Sequence, residues 1–147
     1  MEPNDNDVHA FIQTVASPTR RRDAITLLHI MGRVTGHGPR MWGPSIIGFG
    51  KYHYKYESGV EGDGGGAGFS PRTAAMTVYF PDGFGAYASD LERLGPHKTG
   101  AVSLYLMALS TIDLAVLENM IARSYGTMTT GDEHGHLWGF GGVGPTD

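Results

Sequence analysis

The chain has 147 residues, 40% of them hydrophobic, no cysteine and a formal net charge of −4. That length fits one domain with a real core, and the missing cysteines exclude disulfides, thiolate catalysis and cysteine-based zinc sites. All 11 Lys and Arg lie between residues 8 and 127 with 9 of the 15 acids, so the body is +2, too weakly basic for a nucleic-acid footprint.

No run of about 18 apolar residues occurs, so no membrane partner is expected. The opening "MEPNDNDVHAF" is acidic and polar, without a basic region followed by an apolar one, and sets the expectation of a cytoplasmic location. "DVHAFIQTVAS" predicts a first helix from the N-cap Asp7 to about Ala16. Ser17-Pro18 starts a second, with Ser17 as N-cap and proline at the first position. Within it Ala24, Leu27, Leu28, Met31 and Val34 recur at helical spacing, His29 lies off that stripe, and Gly36 is a natural stop.

"SIIGFG" and "YHYKYES" read as strands, "GVEGDGGGAG" as a flexible loop, and "AAMTVYF" as a further strand with Met76, Val78 and Phe80 on one face. "PDGFG" is turn material, and "AYASDLERLG" is a short helix ending at Gly95. "AVSLYLM" is a last strand. "STIDLAVLENMIARSYG" is a final helix, with Ser110 as cap and Gly126 as its end. Strands run together rather than alternating with helices. The expectation is α+β: a mainly antiparallel sheet of about five strands with helices on one face, two at the N-terminus and one at the C-terminal end.

Residues 1–127 read as the domain and 128–147 as a glycine-rich tail without periodicity, a linker or a docking segment. Leu137, Trp138 and Phe140 argue for docking, because they are costly to leave in water.

In "KYHYKYESG" the period of two puts Tyr52, Tyr54 and Tyr56 on one face and Lys51, His53 and Lys55 on the other. The plain reading is a half-buried strand whose cationic face meets water. The sharper one is a cationic groove. "MWGPS" is a rigid extended turn with Trp42 at its edge, "SPR" places Arg72 near a strand, and "PHKTG" puts His97, Lys98 and Thr99 in a loop. Arginine offers a bidentate fork and lysine a point charge to carboxylate or phosphate. Lys51, His53, Lys55, Arg72, His97, Lys98 and Thr99, with Trp42 and tyrosine walls, are the candidates for one shared anion site.

Other motifs are weaker. Gly62 to Ala67 matches G-x-G-x-x-A by letter, but a strand follows where a dinucleotide fingerprint needs a helix. His134 and His136 with Asp132 and Glu133 offer only a weak metal site in the tail, so no metal ligand is assigned. No G-x-S-x-G or H-E-x-x-H motif occurs. An enzyme would have to use His53 or His97 as acid and base, with Glu57 or Glu61 as carboxylate partner.

"RMWGPSIIGFGKYHYKYESG", "GFSPR", "HKTG", "LYL" and "DLAVLENMI" together resemble the YdhG-like family, a bacterial domain family of unknown function, over about residues 7–127. The resemblance implies a small α+β domain with a curved antiparallel sheet, and no known reaction. Some relatives have been described as frataxin-like iron chaperones. The chain departs from the pattern at Gly64 to Ala67, Pro96 and Ala101, where relatives carry an aromatic residue and lysines. The functional expectation is a binding module for a small anionic ligand or an acidic peptide end on the cationic sheet face. A metal- or iron-handling protein and an enzyme using His53 or His97 are the alternatives. No cofactor is expected, and a homodimer is the remaining partner option.

Overall fold

In the computed structural model, which describes residues 2–55 and 57–130, Asp7 opens the first helix. Its Oδ1 accepts the Ala10 N–H at 3.0 Å. Helix α1 (Val8–Gln13) buries Val8 and Ile12 and stops before the expected Ala16. Helix α2 (Pro18–Thr35) is capped by the Ser17 hydroxyl, which accepts the Arg20 N–H at 3.1 Å. Gly36 ends it at φ 72°, a conformation that costs glycine nothing. The expected stripe is buried at Ala24, Leu27, Leu28 and Met31, and His29 is exposed.

The strands are β1 (Pro3–Asn4), β2 (Pro39–Trp42), β3 (Ile46–Phe49), β4 (Tyr52–Lys55), β5 (Glu61–Gly64), β6 (Ala67–Pro71), β7 (Met76–Tyr79), β8 (Lys98–Thr99) and β9 (Ser103–Leu106). Seven form one open sheet, ordered β1-β2-β3-β6-β7-β9-β8, with every neighbouring pair antiparallel. The expected count of about five is therefore low. Of the strands not expected from the sequence, β1, β2 and β8 are two to four residues long and begin or end beside Pro or Gly.

One face of the sheet carries Met41, Ile47, Phe69, Val78 and Leu104, which lie opposite one another strand by strand. They join Leu27, Met31, Leu117, Met120 and Ile121 of the helices in one core.

Strands β4 and β5 form a two-stranded arm. The pairing Phe49↔Ala67 in β3–β6 and Tyr52↔Gly64 in β4–β5 has the same offset. Between them the Gly66 N–H donates to the Gly50 carbonyl at 3.5 Å. The four strands are thus one long hairpin bent at Gly50, whose φ of 65° suits glycine. The segment "GVEGDGGGAG" is accordingly no loop: it supplies β5 and the start of β6. Its alternate glycines make room for rings. A Cβ on Gly62 would lie 2.7 Å from the Tyr54 hydroxyl, one on Gly64 2.7 Å from Tyr52 Cε1, and one on Gly66 2.6 Å from Tyr125 Cε1. Aromatic rings laid over cross-strand glycines shield a backbone that glycine alone leaves bare.

Helix α3 (Ala88–Leu94) packs on α4 (Leu114–Thr130). Asp90 ties the two, accepting Arg123 at 2.7 Å and Arg93 at 2.9 Å. Ahead of α3, Asp82 accepts the Tyr87 and Ser124 hydroxyls, each at 2.6 Å. The cap of α4 is Asp113 and not Ser110: Asp113 Oδ1 accepts the Ala115 and Val116 N–H groups at 3.0 and 3.2 Å. Nor does Gly126 end it. The helix runs on to Thr130 and buries Met128 against Tyr52 and Tyr54 of the arm. Tyr56 and residues 131–147, with the expectations placed on His134, His136, Leu137, Trp138 and Phe140, lie outside the described residues. Among the described residues no helix is long and apolar enough to cross a membrane.

Candidate functional site

Three local features build a concavity at one end of the sheet. Gly36 turns the chain out of α2 through His37 and Gly38 into β2. Along β2, Met41 points to the helical core, so the alternating Arg40 and Trp42 belong to the opposite face. Across from Arg40 stands Gly48, and beyond it the bend at Gly50 brings Lys51 round. The last turns of α4 then place Tyr125 and Thr129 against that bend.

The space enclosed is about 650 Å³. Trp42, Pro3, Pro39 and Tyr125 supply apolar walls, Gly48 and Gly50 a backbone floor, and His37, Arg40 and Lys51 the polar side. Among the described residues no Asp or Glu lines it. Arg40 is partly engaged, donating to Asp5 Oδ1 at 3.3 Å and to the Asn4 carbonyl at 3.5 Å, and half of its side chain is exposed. Lys51 is exposed, with no hydrogen bond or ion pair among the described residues. Burial pushes the Tyr125 phenol pKa up, so the hydroxyl stays a neutral donor near neutral pH. Apolar walls with a few convergent donors and no carboxylate suit an anion carrying an apolar body.

Trp42 and Lys51 are the expected site residues that meet here. The others do not join them. His53 and Lys55 lie on the exposed face of the arm, opposite Asp63 and Glu61. His53 Nδ1 is 3.0 Å from Asp63 Oδ1, and its Nε2 is 3.4 Å from Glu61 Oε1. The Asp63 hydrogen bond first, then the charges of Asp63 and Glu61, raise the His53 pKa above its ordinary value. That face alternates in sign across the ladder and is not the cationic face expected from β4 alone.

Arg72 follows β6 at the end away from the arm, in a separate groove beside the α1–α2 connection. His97, Lys98 and Thr99 belong to edge strand β8 and its approach, with His97 Nδ1 2.8 Å from the Gly95 carbonyl. From β3 to β8 the sheet steps through β6, β7 and β9, roughly 19 Å at the usual strand spacing. His53 and His97 therefore do not form one acid–base pair.

Residues missed from the sequence are His37, Arg40 and Tyr125. Arg40 carried a faint signal, since it alternates with Trp42 across Met41. Tyr125 carried none, because a partly buried helix tyrosine looks like any core residue. Among the described residues no group of three or more His, Asp or Glu side chains is placed to hold a metal ion. No family model, no curated protein and no solved structure matches the chain.

Proposed function

We propose that this protein is a cytoplasmic binding module that takes a small anionic ligand in the concavity floored by Gly48 and Gly50. One observation carries the reading: His37, Arg40 and Lys51 converge on an apolar, partly aromatic hollow whose lining, among the described residues, holds no acid. The charge-assisted hydrogen bonds available there are the strong kind, and the hollow has the size of small-molecule sites. An anionic group on the cationic rim, with a flat apolar body against Trp42 and Tyr125, uses both halves of the lining. The same proposal places the chain in the YdhG-like family, on the strength of the run from Arg40 to Gly59 and the motifs that follow it.

The test is a thermal-shift screen of phosphate, dicarboxylates and aromatic carboxylates against the full chain. A ligand present at a hundredfold its Kd stabilises by about 2.7 kcal/mol. Arg40→Ala and Lys51→Ala should each weaken the best ligand about tenfold or more, since hydrogen bonds to charged groups contribute roughly 1.5–3 kcal/mol. A screen in which no anion shifts the parent ends this reading.

A further inference from the structure

The groove that holds Arg72 has a chemistry of its own. It encloses about 470 Å³ between the α1–α2 connection, the turn joining β2 to β3, and the end of β6. We propose that it is a second site, binding a small oxyanion of the phosphate or carboxylate class between Arg20 and Arg72.

The first observation is Arg20, which is only 6% exposed. Its Nε donates to the Arg72 carbonyl at 3.1 Å, one Nη to the Met107 carbonyl at 2.8 Å and the other to the Thr73 carbonyl at 3.4 Å. All three acceptors are neutral. Asp23, one turn along α2, is engaged elsewhere, its Oδ2 accepting the Leu109 N–H at 3.0 Å. Among the described residues no carboxylate forms an ion pair with Arg20. A guanidinium has five N–H groups, so two stay available after these three bonds. A guanidinium bonded only to neutral carbonyls has no direct anionic partner, and an anion in the groove would supply one.

The second observation is independent of the first. Arg72 is exposed, and among the described residues only its backbone is engaged. Ser45 and Thr73 also line the groove, and their side-chain hydroxyls make no hydrogen bond among the described residues. Among the described residues no Asp or Glu lines it. The Arg72 fork, the two remaining N–H groups of Arg20 and two hydroxyls are donors in need of acceptors, and an oxyanion offers only acceptors. The groove shares no lining residue with the concavity around Trp42, so the two sites can be tested separately.

The experiment is a titration of the full chain with inorganic phosphate, followed by backbone amide NMR, and a parallel titration with malonate to tell phosphate from carboxylate preference. Saturable shifts at the Ser45, Arg72 and Thr73 amides are expected with at least one of the two anions. Arg72→Ala, an exposed change that leaves the fold intact, should weaken that binding at least tenfold, and Lys51→Ala should leave it unchanged. Equal titration of parent and Arg72→Ala, or shifts confined to residues 37–42 and 48–51, or no saturation with either anion, would overturn the second site.

Discussion

Tyr52 lies across Gly64, the residue directly opposite it on the neighbouring strand, so closely that a Cβ there would meet two ring carbons and the hydroxyl oxygen within 2.9 Å. Exchanging a strand glycine for alanine ordinarily helps by about 0.5–1 kcal/mol. Here the sign reverses. Gly64→Ala should destabilise by roughly 1–3 kcal/mol, the usual cost of overfilling a packed site. Chemical denaturation of the variant gives the number, and a gain in stability would show that the ring moves aside freely.

The two faces of β4 should respond differently to truncation. Tyr54 is 4% exposed and packs with Tyr52 and Met128. Removing its ring should cost roughly 2–4 kcal/mol. Lys55 is exposed opposite Glu61, and Lys55→Ala should cost under about 0.5 kcal/mol. Equal losses at the two positions would contradict the observed alternation of buried and exposed residues.

Met128 is 1% exposed and joins α4 to the arm. The sequence pattern puts it in the tail, where its loss would be harmless. With Met128 in the helix, a chain ending at Thr127 loses this contact, and Met128→Ala should cost about 2 kcal/mol or more. The melting temperatures of the two altered chains should both fall, and an unchanged value for either would remove Met128 from the packing.

His53 gives the arm a pH dependence. Its pKa is raised above the ordinary 6.5 by Asp63 and then Glu61. A raised pKa in the folded state means that the proton is bound more tightly folded than unfolded. The stabilisation is complete below about 6.5 and disappears as pH rises through the higher folded value. Proton NMR of the His53 ring should show the raised midpoint, and His53→Gln should flatten the stability of the arm across the neutral range. An ordinary midpoint would show the contacts with Asp63 and Glu61 to be transient in solution.

Much of the helical framework was legible in the sequence because it depends on local chemistry. Asp7, Ser17 and Gly36 mark helix ends through their own side chains or backbone freedom, and α2 kept its stripe. The end of α4 was not legible. Gly126 resembles a stop, but the apolar contact of Met128 with two distant tyrosines carries the helix past it. β5 was hidden for a similar reason. Gly62, Gly64, Gly65 and Gly66 look like a loop until the rings that lie over Gly62, Gly64 and Gly66 are known. The site split along the same line. Trp42 and Lys51 are close in sequence and meet in one hollow, and Arg72 and Lys98 needed a strand order that no local pattern encodes.

The alternation of glycines in β5 and β6 has a consequence for fidelity. A slip of one residue in the arm would set Asp63 or Glu61 opposite Tyr54, a carboxylate beneath a buried ring, and is strongly disfavoured. A slip of two would meet no such barrier in one direction, because Tyr54 would then face Gly64 and Tyr52 would face Gly66. The tyrosine face is blind to that error. What detects it is the outer face, where His53 would trade Asp63 for the bare Gly65, and the bend, where Tyr125 would lose the paired recess of Gly50 and Gly66. The exposed charges of the arm, weak as contributors to stability, thus act as its proofreading marks.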